Sequence, residues 1–307
     1  MARAKSVAVI GLGAMGLGMA RSLLRGGFSV SGYDIDADAL AALAKAGGRS
    51  AASVADAARE AEILVLVVVN AAQVESVLFG ADGAAAVLKP NAVIIASPTM
   101  APQEAQDFAR RAGEAGLLYL DAPISGGAAK AEAGRLTVMG SGPPEAFAAA
   151  EPALDAMAET VYRLGDAAGI GSSFKIVNQL LAGVHIAVAC EAITFARSLG
   201  LDISRVFDVI TRSAGNSWMF ENRIPHVLAG DYSPMSAVSI FTKDLGIVSD
   251  LGRRQKFPLP VTSAALQLFI MTEAAGMGRD DDSSVARLLA GISGLTLPGM
   301  DGGAEEG

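Results

Sequence analysis

The stretch Val7–Arg21, VAVIGLGAMGLGMAR, constrains the fold of this chain more than any other. Val7–Ile10 reads as a short buried strand, the glycines at 11, 13 and 16 as a turn, and the residues beyond as the start of a helix. Each glycine has its own task in such a turn. Gly11 permits the tight reversal, Gly13 lets backbone approach a pyrophosphate, and Gly16 lets the helix pack closely on the strand. The helix aims its unpaired N–H groups, and the positive end of its dipole, at the phosphates. A second strand, Phe28–Tyr33, ends in Asp34, about 20 residues on, where an acid meets ribose hydroxyls. A glycine turn alone is common. One with a strand before it, a helix after it and an acid at this distance favours a dinucleotide site over a plain structural turn. Its candidate residues are Gly11, Leu12, Gly13, Met15, Gly16 and Asp34.

Beyond Asp34 the pattern alternates. A helix over 37–46 and a second one capped by Ser53 lead to a strand over 63–69. A helix over 72–78 and the Pro90-Asn91 turn precede a strand over 92–96. Pro102 then opens a helix before a strand over 117–120 that ends at Asp121. Apolar strands separated by alanine-rich helices predict a parallel sheet covered on both faces. Residues 136–139 and 160–164 read as further strands flanking a helix that starts near Pro144. From Gly169 to Leu199 only Gly183 interrupts a continuous helical run, which predicts a helix of about 45 Å. Stretches 204–213, 241–256, 260–275 and 283–290 also read as helical. The expected fold is α/β: an N-terminal Rossmann dinucleotide-binding domain (1–165) followed by an all-α C-terminal domain for substrate and oligomerisation (166–294), joined through the long helix. A tail over 295–307, rich in glycine and acid, is expected to be disordered.

Bulk properties exclude several classes. Lys and Arg number 24 against 32 Asp and Glu, a net charge of -8, which argues against a nucleic-acid-binding face. The single cysteine, Cys190, excludes an internal disulfide and reads as a small buried side chain. Two histidines, His185 and His226, are too few for a His-based metal cluster, so no metal is expected. Arg3 and Lys5 before an apolar run imitate a secretory signal, but the glycines at 11, 13, 16 and 18 and the lack of a cleavage site oppose it. No stretch of about 20 residues reads as a membrane span. The chain is expected to be soluble and cytoplasmic.

Three further stretches bear chemistry. In DAPISGG, 121–127, a strand end delivers Ser125, Gly126 and Gly127 to the sheet edge where ligands bind, with N–H groups and a hydroxyl for an anion such as a carboxylate. A flexible turn explains them equally well. In GIGSSFKIVNQ, 169–179, Lys175 lies in the early turns of the long helix, with Asn178 and Gln179 at i+3 and i+4 on the same face. The helix dipole opposes a cation there and favours a lysine poised for proton transfer. Locally, a solvated surface lysine is the better reading. In FTKDLGIVSD, 241–250, Lys243 reads as reaching toward cofactor or substrate, or as half of an exposed Lys243-Asp244 pair.

Taken together and in order, GLGAMGLGMA (11–20), DAPISGG (121–127), Gly-x-Gly-x-x-x-Lys-x-x-Asn (169–178) and KDLG (243–246) resemble the β-hydroxyacid dehydrogenase family over about 7–290. That resemblance implies an NAD-dependent oxidation of a short hydroxy acid. Ser125, Gly126 and Gly127 would hold the carboxylate, Lys175 would be the acid/base, Asn178 would position the substrate, and Lys243 would lie beside the nicotinamide. Thr99, Val69 and Asn70 would join the cofactor site, and Gln179 and Asn216 the substrate site. Two departures stand out: Asn178-Gln179 replaces a pair of asparagines, and Pro98-Thr99 replaces a Ser-Thr pair. VNAAQ (69–73), VNQLLAGVHIA (177–187) and SAGNSWMFENR (213–223) resemble a sugar-acid branch of the family. There Trp218 and Phe220 either shape a pocket wall or pack in the core. Alternatives are 3-hydroxyisobutyrate or tartronate semialdehyde as substrate, or a catalytically silent NAD-binding protein. The family also implies a homodimer or homotetramer.

Overall fold

The computed structural model describes residues 5–300. They form two compact units, one up to Ile176 and one from Val177. The division falls inside the long helix, eleven residues beyond the expected boundary at 165.

In the first unit, strands β1 (Ser6–Ile10), β2 (Ser29–Tyr33), β3 (Arg49–Ser50), β4 (Ile63–Leu66), β5 (Val93–Ala96) and β6 (Leu118–Asp121) form one parallel sheet in the order β3-β2-β1-β4-β5-β6. Its apolar strands are buried on both faces because alternate side chains enter different cores. Val7, Val9, Val65 and Ile95 pack with Met19 and Leu23 of α1 (Ala14–Arg25), whereas Ala8, Ile10, Leu64 and Ile94 face the other way. Helices α2 (Ala37–Lys45), α3 (Val54–Ala58), α4 (Ala71–Phe79) and α5 (Pro102–Glu114) make the crossovers. Ser53 caps α3 by accepting from the Asp56 N–H, as its sequence position predicts.

A separate three-stranded sheet of β7 (Ile124–Ser125), β8 (Leu136–Gly140) and β9 (Ala158–Arg163) holds α6 (Gly127–Glu132) and α7 (Pro144–Met157) in its connections. The expected strands at 136–139 and 160–164 therefore belong to this second sheet. Strand β7 pairs antiparallel with β8, and β8 pairs parallel with β9.

The helix α8 (Ile170–Ser198) runs for 29 residues. By length and composition alone it could cross a membrane, though it carries Lys175, Asn178, Gln179 and Glu191, and half of its most apolar window is buried within the chain.

The second unit is helical throughout: α9 (Ile203–Ile210), α10 (Trp218–Ala229), α11 (Val238–Arg254), α12 (Pro260–Thr272) and α13 (Val285–Ile292). Phe241 stacks on Phe269 with ring centroids 5.4 Å apart, and Phe207 stacks on Phe220 at 5.9 Å. Cys190 is buried, and burial pushes its thiol up, in keeping with a packed side chain. Residues 295–300, expected to be disordered, are instead held: Leu297 is buried and Tyr232 Oη donates to Pro298 O at 3.2 Å. The rest of the expected tail, 301–307, lies outside the described residues.

A buried ion pair ties α10 to the turn before α13. Arg223 Nε donates to Asp282 Oδ1 at 2.6 Å and Nη2 to Oδ2 at 3.1 Å. Burial pushes the Asp282 carboxyl up to about 7, with Arg223 pulling the other way. Because the folded chain holds this proton more tightly than the unfolded one, the contribution is present below about pH 4 and is lost as pH rises through about 7. Denaturant titrations across that window should show stability falling with pH. Asp282→Asn should flatten the slope even if it lowers stability throughout; an unchanged slope would exclude Asp282 as its source.

Candidate active site

The dinucleotide cradle grows from the carboxyl ends of β1 and β2. Gly11 has φ of +91°, and a Cβ there would stand 2.7 Å from Val67 O. A Cβ on Gly16 would come within 1.9 Å of Gly11 O, so helix and turn meet only because that atom is missing. Gly13 opens α1 with no side-chain cap and has open space where its Cβ would be. Asp34 leans back over this turn: Oδ2 accepts from the Leu12 N–H at 2.5 Å and Oδ1 from the Asp36 N–H at 2.9 Å. These residues fit a dinucleotide. There is room for phosphate before a helix N-terminus, and a carboxylate is fixed beside it with lone pairs left for ribose hydroxyls. Leu12 is buried and Met15 half-buried against the same core, so their side chains serve packing. Asn70 Oδ1 accepts from the Gln73 N–H at 2.9 Å, while Gln73 Oε1 accepts from the Val69 N–H at 2.7 Å. This reciprocal cap opens α4 and is a local duty for both residues beyond any contact with cofactor. Thr99 lies half-buried between β5 and α5.

The start of α8 is gripped by a carboxylate that sequence reading treats only as a strand end. Asp121, fully buried at the end of β6, accepts at Oδ2 from the Gly169 N–H (2.8 Å) and the Ser172 N–H (2.9 Å), and at Oδ1 from Ser172 Oγ (2.7 Å). Ser141 Oγ donates to Asp121 Oδ2 at 3.2 Å and accepts from the Gly171 N–H at 2.8 Å. Burial pushes the Asp121 carboxyl up, and the donors from Ser172, Gly169 and Ser141 pull against it. The glycines of the Gly-x-Gly step make this grip possible. Gly169 has φ of +95°, and a Cβ on Gly171 would meet Met139 O at 2.2 Å.

From that anchored start, Lys175 extends its side chain to β7, where Nζ donates to Ile124 O at 2.8 Å. It is 8% exposed, which excludes the solvated surface lysine. The ammonium therefore sits against the residue that precedes Ser125. Gly126 (φ +137°) and Gly127 (φ +73°) then turn the chain into α6 in conformations that side chains disfavour.

In the second unit, Asn178 Nδ2 donates to Gln179 Oε1 at 2.9 Å, and Gln179 Nε2 donates to Asp244 Oδ2 at 2.5 Å. Lys243 Nζ lies 2.8 Å from Asp244 Oδ1, an ion pair without the alignment of a hydrogen bond. The Lys243-Asp244 pair is thus buried on the aspartate side rather than exposed. Asn216 is not part of this group. Its Nδ2 donates to Glu221 Oε1 at 2.6 Å and to Thr211 O at 3.2 Å, next to the Ser217 cap of α10. Phe220 packs in the core, whereas Trp218 is 56% exposed.

A glycine cradle for a dinucleotide on a Rossmann sheet, followed by an all-helical unit, defines a nicotinamide-dependent dehydrogenase. Residues 6–165 match the NAD binding domain of 6-phosphogluconate dehydrogenase, and residues 169–289 match the NAD-binding domain of NADP-dependent 3-hydroxyisobutyrate dehydrogenase. The chain belongs to the β-hydroxyacid dehydrogenase family, in its 3-hydroxyisobutyrate dehydrogenase-like group, and uses a nicotinamide dinucleotide. It is 54% identical over 295 residues to an L-threonate dehydrogenase from Cupriavidus necator, covering 96% of this chain and 98% of that protein. It is 48% identical over 289 residues to an L-threonate dehydrogenase from Haemophilus influenzae, covering 94% and 96%. A crystal structure described as 3-hydroxyisobutyrate dehydrogenase from Salmonella typhimurium superposes with a TM-score of 0.89 at 48% identity, covering 92% of this chain and 99% of that one.

Proposed function

We propose that the chain oxidises L-threonate at the hydroxyl-bearing carbon beside the carboxylate, giving 2-dehydro-L-erythronate. The observation that carries the reaction is the Lys175 ammonium, buried at the start of an anchored helix and held against the strand that leads into Ser125, Gly126 and Gly127. The names of the relatives carry the choice of acid. In this reading the Ser125 hydroxyl and the N–H groups of Gly126 and Gly127 bind the carboxylate. Asn178 orients the remaining hydroxyls, and Lys175 in its amine form takes the hydroxyl proton. When bound, the nicotinamide supplies the acceptor for the hydride. Lys243 would help to hold that ring. Asp34 accepts from the ribose hydroxyls and repels a 2′-phosphate, and the next residue, Ile35, carries no charge to offset it, so NAD is preferred over NADP.

The helix α8 leaves Val177, Leu181, Val188 and Phe195 more than half exposed at spacings that place them along one side. An apolar stripe of this kind supports a second copy of the chain as its cover, in a homodimer or a tetramer built from it. Work in the cytoplasm fits the single, buried thiol of Cys190.

The test is a spectrophotometric screen of purified chain with sugar acids and NAD or NADP. L-threonate with NAD should give the fastest NADH formation, ahead of 3-hydroxyisobutyrate, the acid in the name of the Salmonella typhimurium structure. Faster turnover of 3-hydroxyisobutyrate would move the assignment to that acid. No reduction with any hydroxy acid would leave only a silent dinucleotide-binding protein.

A further inference from the structure

Gln179 stands where a second asparagine is expected, and it is 7% exposed with both ends of its amide engaged. Asp244, against which it rests, is 1% exposed. The helices α8 and α11 come close enough for this contact because Gly183, one turn beyond Gln179, has no side chain: a Cβ there would stand 2.9 Å from Leu245 Cδ1. A shorter side chain at position 179 would forfeit a methylene of the reach that closes the 2.5 Å bond.

The chemistry of the partners gives this chain of groups a direction. An ionised carboxylate only accepts hydrogen bonds, so Gln179 must present its NH₂ to Asp244. Its carbonyl oxygen then faces Asn178, which must answer with its own NH₂. Asn178 Oδ1 is thereby left as the end that meets a donor. Without Asp244, either amide could rotate by half a turn at little cost.

We propose that Gln179 and Asp244 are positioning residues: the buried carboxylate fixes the polarity of the Gln179 amide, which fixes Asn178 so that its oxygen accepts from a substrate hydroxyl. This assigns Gln179 a relay role in place of the substrate contact expected from the sequence, and it rests on the reading in which Asn178 orients the hydroxy acid. The same carboxylate holds Lys243.

The experiment is a double-mutant cycle in kcat/KM for the best acid of the screen, using Asn178→Ala, Gln179→Leu and the double variant in the full chain. Gln179→Leu keeps bulk but removes the relay and leaves the Asp244–Lys243 pair in place. It should lower kcat/KM about tenfold with NAD affinity unchanged, and it should lower the melting temperature because Asp244 loses a donor. The double variant should be no worse than Asn178→Ala alone, because both losses act through one group. Asp244→Asn, which can donate or accept, should lower kcat/KM as well. If the two single losses multiply in the double variant, Gln179 acts independently of Asn178 and the relay is wrong. An inert Gln179→Leu beside a damaging Asn178→Ala overturns the relay alone. An inert Asn178→Ala overturns both the relay and the assigned role of Asn178.

Discussion

Lys175→Ala is expected to lower kcat by about 10²–10⁴-fold, the range lost when a positioned acid or base is removed, while NAD binding is retained. The Lys175 ammonium bonds to Ile124 O on β7, whereas the cradle is built from the ends of β1 and β2. Removing the ammonium takes a donor from a buried carbonyl, at a cost of about 1–3 kcal/mol. A fall in activity has to be separated from that fall in stability. Lys175→Arg makes the separation: a guanidinium can still donate to Ile124 O but does not give up its proton in a protein. Arginine should keep more of the stability than alanine and be comparably inactive. Titrating NAD by fluorescence and measuring kcat on the same samples checks both halves. Near-full turnover in either variant would remove Lys175 from the proton transfer.

Gly171→Ala should be among the most damaging glycine-to-alanine changes at the described residues outside the cradle. The new Cβ would sit 2.2 Å from Met139 O and 3.0 Å from Asp121 O, both backbone atoms that cannot swing aside. Overpacking of a tight core costs about 1–3 kcal/mol and at times more, and a clash with backbone belongs at the upper end. Relief requires the first turn of α8 to lift away from β8, which breaks the Gly171 N–H bond to Ser141 and strains those to Asp121. Denaturant unfolding should show the loss. Lys175, four residues on, would move with that turn, so kcat should fall alongside stability. A variant as stable as the parent would mean that this contact is looser than its geometry says.

Local order was readable wherever a residue's partner lies nearby in the chain. The glycine turn, the Ser53 cap and the long helix follow from spacings of a few residues to one βαβ unit, and each forms as expected. Strands β3 and β7 escaped because two-residue strands carry no periodicity, and β7 is the one that receives Lys175. Helix α10 escaped because Pro225 lies inside it, and proline ordinarily ends a helical pattern. The grip of Asp121 on Gly169 and Ser172 and the contact of Gln179 with Asp244 join residues 48, 51 and 65 positions apart. Only packing brings such partners together. An aspartate at the end of a strand and an acid after a lysine look the same in sequence whether they are buried anchors or solvated charges.

The acceptor for Lys175 is a main-chain carbonyl. Every amino acid at position 124 would offer that same oxygen, so a substitution there can alter the core around Ile124 without removing the tether. The mooring of the ammonium is thereby independent of which side chain the strand carries at that position.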